Sequence, residues 1–192
     1  SENNLVEHLT IEYSHPRWIV ERWLQILGFE ETRALCEANN QQADLALRVN
    51  EAKAQLHDVF QSLQARGIAV RQSEYSNCGL LAEDAKNFQE WPEWKDGQIL
   101  AQDEAAQLVG ILAAPQAGWN VVDACAAPGG KTAHLGAQMK NEGQIIACDL
   151  APNRLKLVEE NARRRGISII ETRVGDFREV STQLPPADLV LL

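Results

Sequence analysis

The chain reads as an α/β protein: a Rossmann-like, doubly wound parallel sheet with its first four strands visible, preceded by a small α+β subdomain. Three observations predict this. The C-terminal half alternates short apolar runs with helical spacings, at Val121-Val122-Asp123, Gln144–Asp149, Ser168–Val174 and Ala187–Leu192. The first of these runs breaks into a small-residue turn that opens a helix, as in sheets that bind a ligand at the carboxyl ends of their strands. The first ninety residues lack this alternation, and Trp91-Pro92-Glu93-Trp94-Lys95-Asp96-Gly97 reads as a join. The expected domains are therefore 1–96 and 97–192.

In the first of them, Val20, Trp23, Leu24 and Leu27 fall at i, i+3, i+4, i+7, and Gly28 is placed as a C-terminal stop. A second helix is expected over Glu30–Ala38, a strand over Ala43–Val49, and a helix through Leu56, Val59, Phe60 and Leu63 that ends before Gly67. Ile68–Arg71 and Gly79–Leu81 read as further strands. Helices on one face of a small antiparallel sheet follow from this pattern.

In the second domain, Asp103 is an N-cap candidate for a helix with Ala105, Leu108, Val109 and Leu112 on one face. The strand at Val121 follows, then Cys125-Ala126-Ala127-Pro128-Gly129-Gly130-Lys131-Thr132 and a helix. After the strand ending in Asp149, Pro152 suits the first helical position, Leu155, Val158 and Ala162 line a face, and Gly166 closes the helix. The third strand leads to Gly175-Asp176-Phe177, and a fourth, fully apolar strand begins at Ala187.

The loop carries the chemistry. Gly129 and Gly130 admit positive φ and a close ligand approach, Ala126 and Ala127 add no bulk, and the helix N-terminus presents free N–H groups to an anion. A triphosphate loop, G-x-x-x-x-G-K-[ST], is matched by Gly130-Lys131-Thr132 but needs glycine where Cys125 stands, and Pro128 removes an N–H from the phosphate nest. The dinucleotide pattern G-x-G-x-x-G is absent. The third arrangement wraps the aminoacyl end of S-adenosylmethionine and holds the ribose with an acid ending the second strand. Asp149, 20 residues after Gly129, has that spacing. Asp176 could accept from an adenine amino group.

Composition sets outer limits. A hydrophobic content of 45% is that of a globular protein, no apolar run approaches the roughly 18 residues of a membrane span, and no signal peptide is visible, so a cytoplasmic protein is expected. Cys36, Cys78, Cys125 and Cys148 form no C-x-x-C pair, and reduced thiols without a disulfide or metal site are expected. The net charge of −9 opposes indiscriminate nucleic-acid binding. The acidity lies mainly in residues 1–96, with 9 basic and 16 acidic residues there against 9 and 11 after Asp96. Arg163-Arg164-Arg165 is read as a helix C-terminus complementing its own dipole, and Trp91 and Trp94 as junction packing rather than a base-stacking platform. His15 is read as part of a turn before a helix.

Asp123-Ala124-Cys125-Ala126-Ala127-Pro128-Gly129-Gly130-Lys131-Thr132 resembles the signature of the NOL-NOP-Sun family, the bacterial Sun-type RNA cytosine-5 methyltransferases. The resemblance extends to Gln102–Gln107, to Asp149 with Arg154, to Gly175-Asp176, and upstream to Tyr13–Trp18 and Leu47-Arg48-Val49-Asn50. It implies a class I methyltransferase sheet after an RRM-like subdomain, S-adenosylmethionine as cofactor, and ribosomal RNA, 16S in particular, as substrate. It also implies cofactor roles for Cys125, Ala126, Ala127, Pro128, Gly129, Gly130 and Lys131 around the methionine, for Asp149 on the ribose, for Arg154 supporting that acid, and for Asp176 near the adenine. A non-catalytic cofactor- and RNA-binding module is the main alternative; a P-loop nucleotidase is a remote one.

Carbon 5 of cytosine is too weak a nucleophile to take a methyl group unaided, and enzymes of this chemistry first add a Cys thiolate to carbon 6. In Sun-type enzymes that Cys belongs to a segment after the fifth strand and a second Cys follows directly on the fourth, so no catalytic residue is expected within these 192 residues, and Cys125 is read as a small residue of the cofactor loop. A fragment of a longer enzyme, inactive alone, is the expectation.

Overall fold

The computed structural model describes residues 2–192. It divides into two compact units, one ending at Ala43 and the other spanning Asp44–Leu192.

The first unit is helical. Helix α1 (Glu2–Glu12) was not legible from sequence, because its first residues are polar; Val6 and Leu9, one turn apart, pack with Val20 into a small core. Helix α2 (Arg17–Asn39) joins the two expected helices. Gly28 is not a stop but an internal break, at φ +77°, after which the chain turns back into helix. Of the expected apolar face only Val20 is fully buried, and Leu27 is exposed.

The second unit opens with strand β1 (Leu45–Val49), helix α3 (Leu56–Ala65), and strands β2 (Val70–Gln72) and β3 (Gly79–Ala82). A short helix α4 (Pro92–Lys95) and strand β4 (Ile99–Ala101) follow. The four strands form one antiparallel sheet in the order β2-β3-β1-β4. Strand β4 lies on the C-terminal side of the 96/97 boundary expected from sequence. Leu47, Val49, Leu80, Ala82 and Ile99 pack against Val59 and Leu63 of α3 and against Trp91. Trp91 is thus a core residue, and Trp94 lies under the Arg164 guanidinium, 4.3 Å from its ring centre.

Helix α5 (Glu104–Ala113) leads to strand β5 (Asn120–Asp123), helix α6 (Gly130–Gln138), strand β6 (Gln144–Asp149), helix α7 (Pro152–Arg165), strand β7 (Ile170–Val174), the short helix α8 (Phe177–Val180) and strand β8 (Leu189–Leu191). These strands form a parallel sheet in the order β7-β6-β5-β8, with order reversing at β5, the switch point where such sheets bind ligands. Its strands are apolar on both faces because both are covered. Val121 and Ile145 meet Leu135 of α6 and Met139, its C-cap, while Val122, Ile146 and Cys148 meet Phe177, Val180 and Leu184. Full burial of Leu135 or Met139 contributes about 2 kcal/mol each.

Asp103 caps α5 as expected, accepting from Ala105 N at 2.9 Å. The face that α5 buries differs from the expected one: Gln107 and Gly110 are buried, whereas Leu112 is 82% exposed. Gly110 faces inward because His134 of α6 packs directly on it; a Cβ there would stand 2.3 Å from His134 Nδ1. Gly166 closes α7 at φ +73°, and the Arg163-Arg164-Arg165 cluster occupies its last turn. No helix among the described residues is long and apolar enough to cross a membrane.

Candidate cofactor site

The site grows from the end of β5. Ala124 N bonds to Leu191 O of β8 and Ala126 N to Cys148 O of β6, so the chain is still guided by both neighbouring strands as it leaves the sheet. A tight turn follows, with Gly129 N donating to Ala126 O at 2.7 Å. Gly129 takes φ +93°, and a Cβ there would meet Val158 Cα of α7 at 3.1 Å, so both its dihedral and its packing call for glycine. The Ala127–Pro128 peptide is cis.

Gly129 is also the N-cap of α6, and it supplies no side chain to the first turn. The N–H groups of Gly130, Lys131 and Thr132 are the helix's free donors, reinforced by the positive end of its dipole. Thr132 fixes this turn to the sheet by donating its hydroxyl to Asp123 Oδ2 at 2.7 Å. Burial pushes the Asp123 carboxyl above the usual carboxylate range, against the opposing Thr132 hydrogen bond. Sequence reading passed over Asp123 as the strand's last residue, although its spacing of nine from a hydroxyl on the next helix carried the signal.

Asp149 ends the adjacent strand and is buried at 7% exposure. Its Oδ2 accepts from Ala127 N (3.3 Å) and lies 3.5 Å from Arg154 Nη1; its Oδ1 accepts from Ala151 N (3.1 Å). Arg154 also donates to Ala127 O at 2.9 Å, tying α7 to the loop. The structure therefore brings Ala126, Ala127, Gly129, Asp149 and Arg154 into one hydrogen-bonded group. Cys125, Pro128 and Lys131 are exposed along the same loop, and Gly130 is half-buried. Asp176 stands at the end of the next strand, where it caps α8 through Arg178 N and pairs with the Arg178 guanidinium at 2.5 Å. That pairing holds its carboxyl down at about 2.

These residues suit S-adenosylmethionine. Small buried alanines and a positive-φ glycine leave room beside the backbone, the first turn of α6 carries N–H groups without intrahelical partners that suit a carboxylate, and Asp149 retains acceptor capacity for hydroxyls, since a carboxylate offers about four lone-pair sites. The nearest approach to a metal donor set among the described residues is Glu51, Cys78 and His134, whose ligand atoms lie within 4.8 Å of one another. The Arg48 charge acts on both Cys78 and His134 and opposes a second cation, and buried His134 Nδ1 lacks the acceptor that orients a ligating imidazole. No metal is assigned there.

Two family models match the chain. A ferredoxin-like domain of the RsmF/B-like methyltransferases matches residues 15–89, and the 16S rRNA methyltransferase RsmB/F matches residues 110–192. The chain is 35% identical over 179 residues to the probable ribosomal RNA small subunit methyltransferase B of Bacillus subtilis, covering 91% of this chain and 39% of that protein. It is 31% identical over 192 residues to the human 28S rRNA (cytosine(4447)-C(5))-methyltransferase, covering 99% of this chain and 24% of that one. In fold it resembles NSun6 from Pyrococcus horikoshii, solved with SFG, at a TM-score of 0.83 and 19% identity over 92% of this chain and 70% of that one. The chain thus spans well under half of the two curated relatives. With residues 15–89 and 110–192 matched in order by models of the same proteins, and the loop of Asp123–Thr132 at the switch point of the parallel sheet, the chain belongs to the NOL-NOP-Sun family of RNA methyltransferases.

Proposed function

We propose that this chain is the cofactor half of an S-adenosylmethionine-dependent RNA methyltransferase that modifies carbon 5 of cytosine in ribosomal RNA, that of the small subunit in particular. The observation that carries the reading is the joint geometry of the loop and Asp149: free N–H groups at an α6 N-terminus, and a buried carboxylate tied to the same loop through Ala127 N. Names of relatives support the reaction and its target, and SFG in the Pyrococcus protein supports a ligand of this class.

When bound, the cofactor supplies an electrophilic methyl group. The chain's own residues bind and orient it. The backbone from Cys125 to Lys131 would hold the amino-acid end, and the first-turn N–H groups of α6 would receive its carboxylate. Asp149 would accept from the ribose hydroxyls, and Arg154 orients it through the 3.5 Å contact. Asp176 stands on the adenine side, where its engagement with Arg178 leaves it the weaker contributor of the two acids. Cys36, Cys78 and Cys148 are buried, and exposed Cys125 is on the cofactor loop, so none of the four is assigned as the nucleophile toward cytosine.

Titration calorimetry of the 192-residue chain with S-adenosylmethionine, S-adenosylhomocysteine and ATP tests the reading. Saturable binding of the first two without ATP is expected; binding of ATP alone would overturn it in favour of a nucleotidase.

A further inference from the structure

The loop has a neighbour on its rear side that the cofactor reading does not use. Arg48 lies on β1 of the antiparallel sheet, is 1% exposed, and reaches across to the parallel sheet's helix. Its Nη1 donates to Gly130 O at 2.9 Å and to Gln102 Oε1 at 2.6 Å. Gln102 is held in turn, since its carbonyl accepts from Gln107 Nε2, and Gln107 Oε1 accepts from the Ser76 hydroxyl. Among the described residues, no carboxylate forms an ion pair with Arg48. Arg165, another buried guanidinium whose Nε and Nη1 have no partner, acts on it as a like charge, while the exposed Glu51 carboxylate and Cys78 act on it in the opposite sense without a direct hydrogen bond. Burial and the repulsion from Arg165 bring Arg48 down to about 9, which leaves it charged at neutral pH.

A cation whose hydrogen-bond acceptors are neutral is costly to bury, and Gly130 O and Gln102 Oε1 compensate it only in part. Its field therefore extends beyond its own hydrogen bonds. The closest ligand-accessible place is the first turn of α6, whose Gly130 carbonyl it grips. In a weakly polar interior such a charge still acts at several ångströms.

We infer that Arg48 is a positioning residue for the cofactor loop that also favours a ligand bearing a carboxylate, by fixing the Gly130 peptide and adding a buried positive charge beside the first turn of α6. The inference rests on the cofactor reading above. It makes the antiparallel sheet a participant in ligand recognition, because the selective charge comes from β1.

The test compares two ligands on the 192-residue chain: S-adenosylhomocysteine and its decarboxylated analogue. Arg48→Met is expected to weaken S-adenosylhomocysteine about tenfold, equivalent to about 1.4 kcal/mol, while leaving the decarboxylated ligand within about twofold of the parent chain. Arg48→Lys, which restores the charge, should recover at least half of that loss on a logarithmic scale. Gln102→Glu is the second route: it sets a carboxylate against the guanidinium without removing it, and the same ligand-dependent loss is expected while circular dichroism matches the parent. Equal weakening of both ligands would mean that Arg48 only supports the fold, and no weakening of either would mean that it does not act on the site. Both results would overturn the inference. Failure of the unaltered chain to bind either ligand would instead reject the cofactor reading itself.

Discussion

Asp149 is the residue on which the ligand reading depends most. Accepting two ribose hydroxyls would give charge-assisted hydrogen bonds worth roughly 1.5–3 kcal/mol. Asp149→Ala should accordingly raise the dissociation constant for S-adenosylhomocysteine about ten- to a hundredfold, measured by calorimetry on a variant whose circular dichroism matches the parent. An unchanged constant would reduce the acid to a turn residue serving Ala127 N and Ala151 N. His134 gives a second residue-scale prediction, about stability. It is 2% exposed, and burial together with the Arg48 charge lowers its pKa to about 3. The unfolded chain takes up this proton near pH 6.5 and the folded chain only near 3. The stability of the neutral form is therefore complete above about pH 6.5 and declines below it by about 1.4 kcal/mol per pH unit. At pH 5 the loss attributable to His134 is about 2 kcal/mol, and urea denaturation of His134→Gln should show a correspondingly flatter decline between pH 6.5 and 5. Parallel declines in the two proteins would remove His134 as the cause.

Elements differ in how far the sequence discloses them. Strands β5, β6 and β8 and helix α7 were legible because each carries its signal locally: an apolar run ending in an acid, or Pro152 at the start and Gly166 at the end of a periodic stretch. Helix α5 shows where this fails. Its hydrophobic spacing pointed to Ala105, Leu108, Val109 and Leu112, yet it buries Gln107 and Gly110, because its partner surface includes Cys78, Ser76 and the His134 ring rather than an aliphatic sheet face. Periodicity records which residues are apolar, and a polar interface with a ring seated on a glycine leaves no such trace. Gly110→Ala therefore tests the packing of α5 on α6. The added methyl overlaps the His134 ring, and overpacking of this kind typically costs 1–3 kcal/mol. We expect a loss of about that size in denaturant titration, although alanine is the better helix former by about 1 kcal/mol. A stabilised variant would show that α5 and α6 are not held at this distance.

At the scale of the whole 44–192 unit, the two sheets are joined by polar side chains rather than by a shared apolar core. Asn50 donates to Gly97 O and to Arg165 O, both at 2.9 Å, and Lys53 donates to Asp96 O and Arg164 O at 2.8 and 2.7 Å. With Arg48, these residues bind the end of β1 and the turn after it to the start of α6 and the close of α7. From the sequence, Leu47-Arg48-Val49-Asn50 could be singled out only by family resemblance, since an Arg on a strand ordinarily reads as a solvated edge; its partners are 82 and 54 residues away and leave no local pattern. The loop itself was legible because its glycines, its following helix and the acid at the next strand's end each have a physical reason. The proposed place of the cofactor is this loop, braced by Arg48. A crystal structure of the chain with S-adenosylhomocysteine is expected to show the ligand's carboxylate on the N–H groups of Gly130, Lys131 or Thr132 and its ribose hydroxyls on Asp149; a ligand bound away from both would rule that placement out.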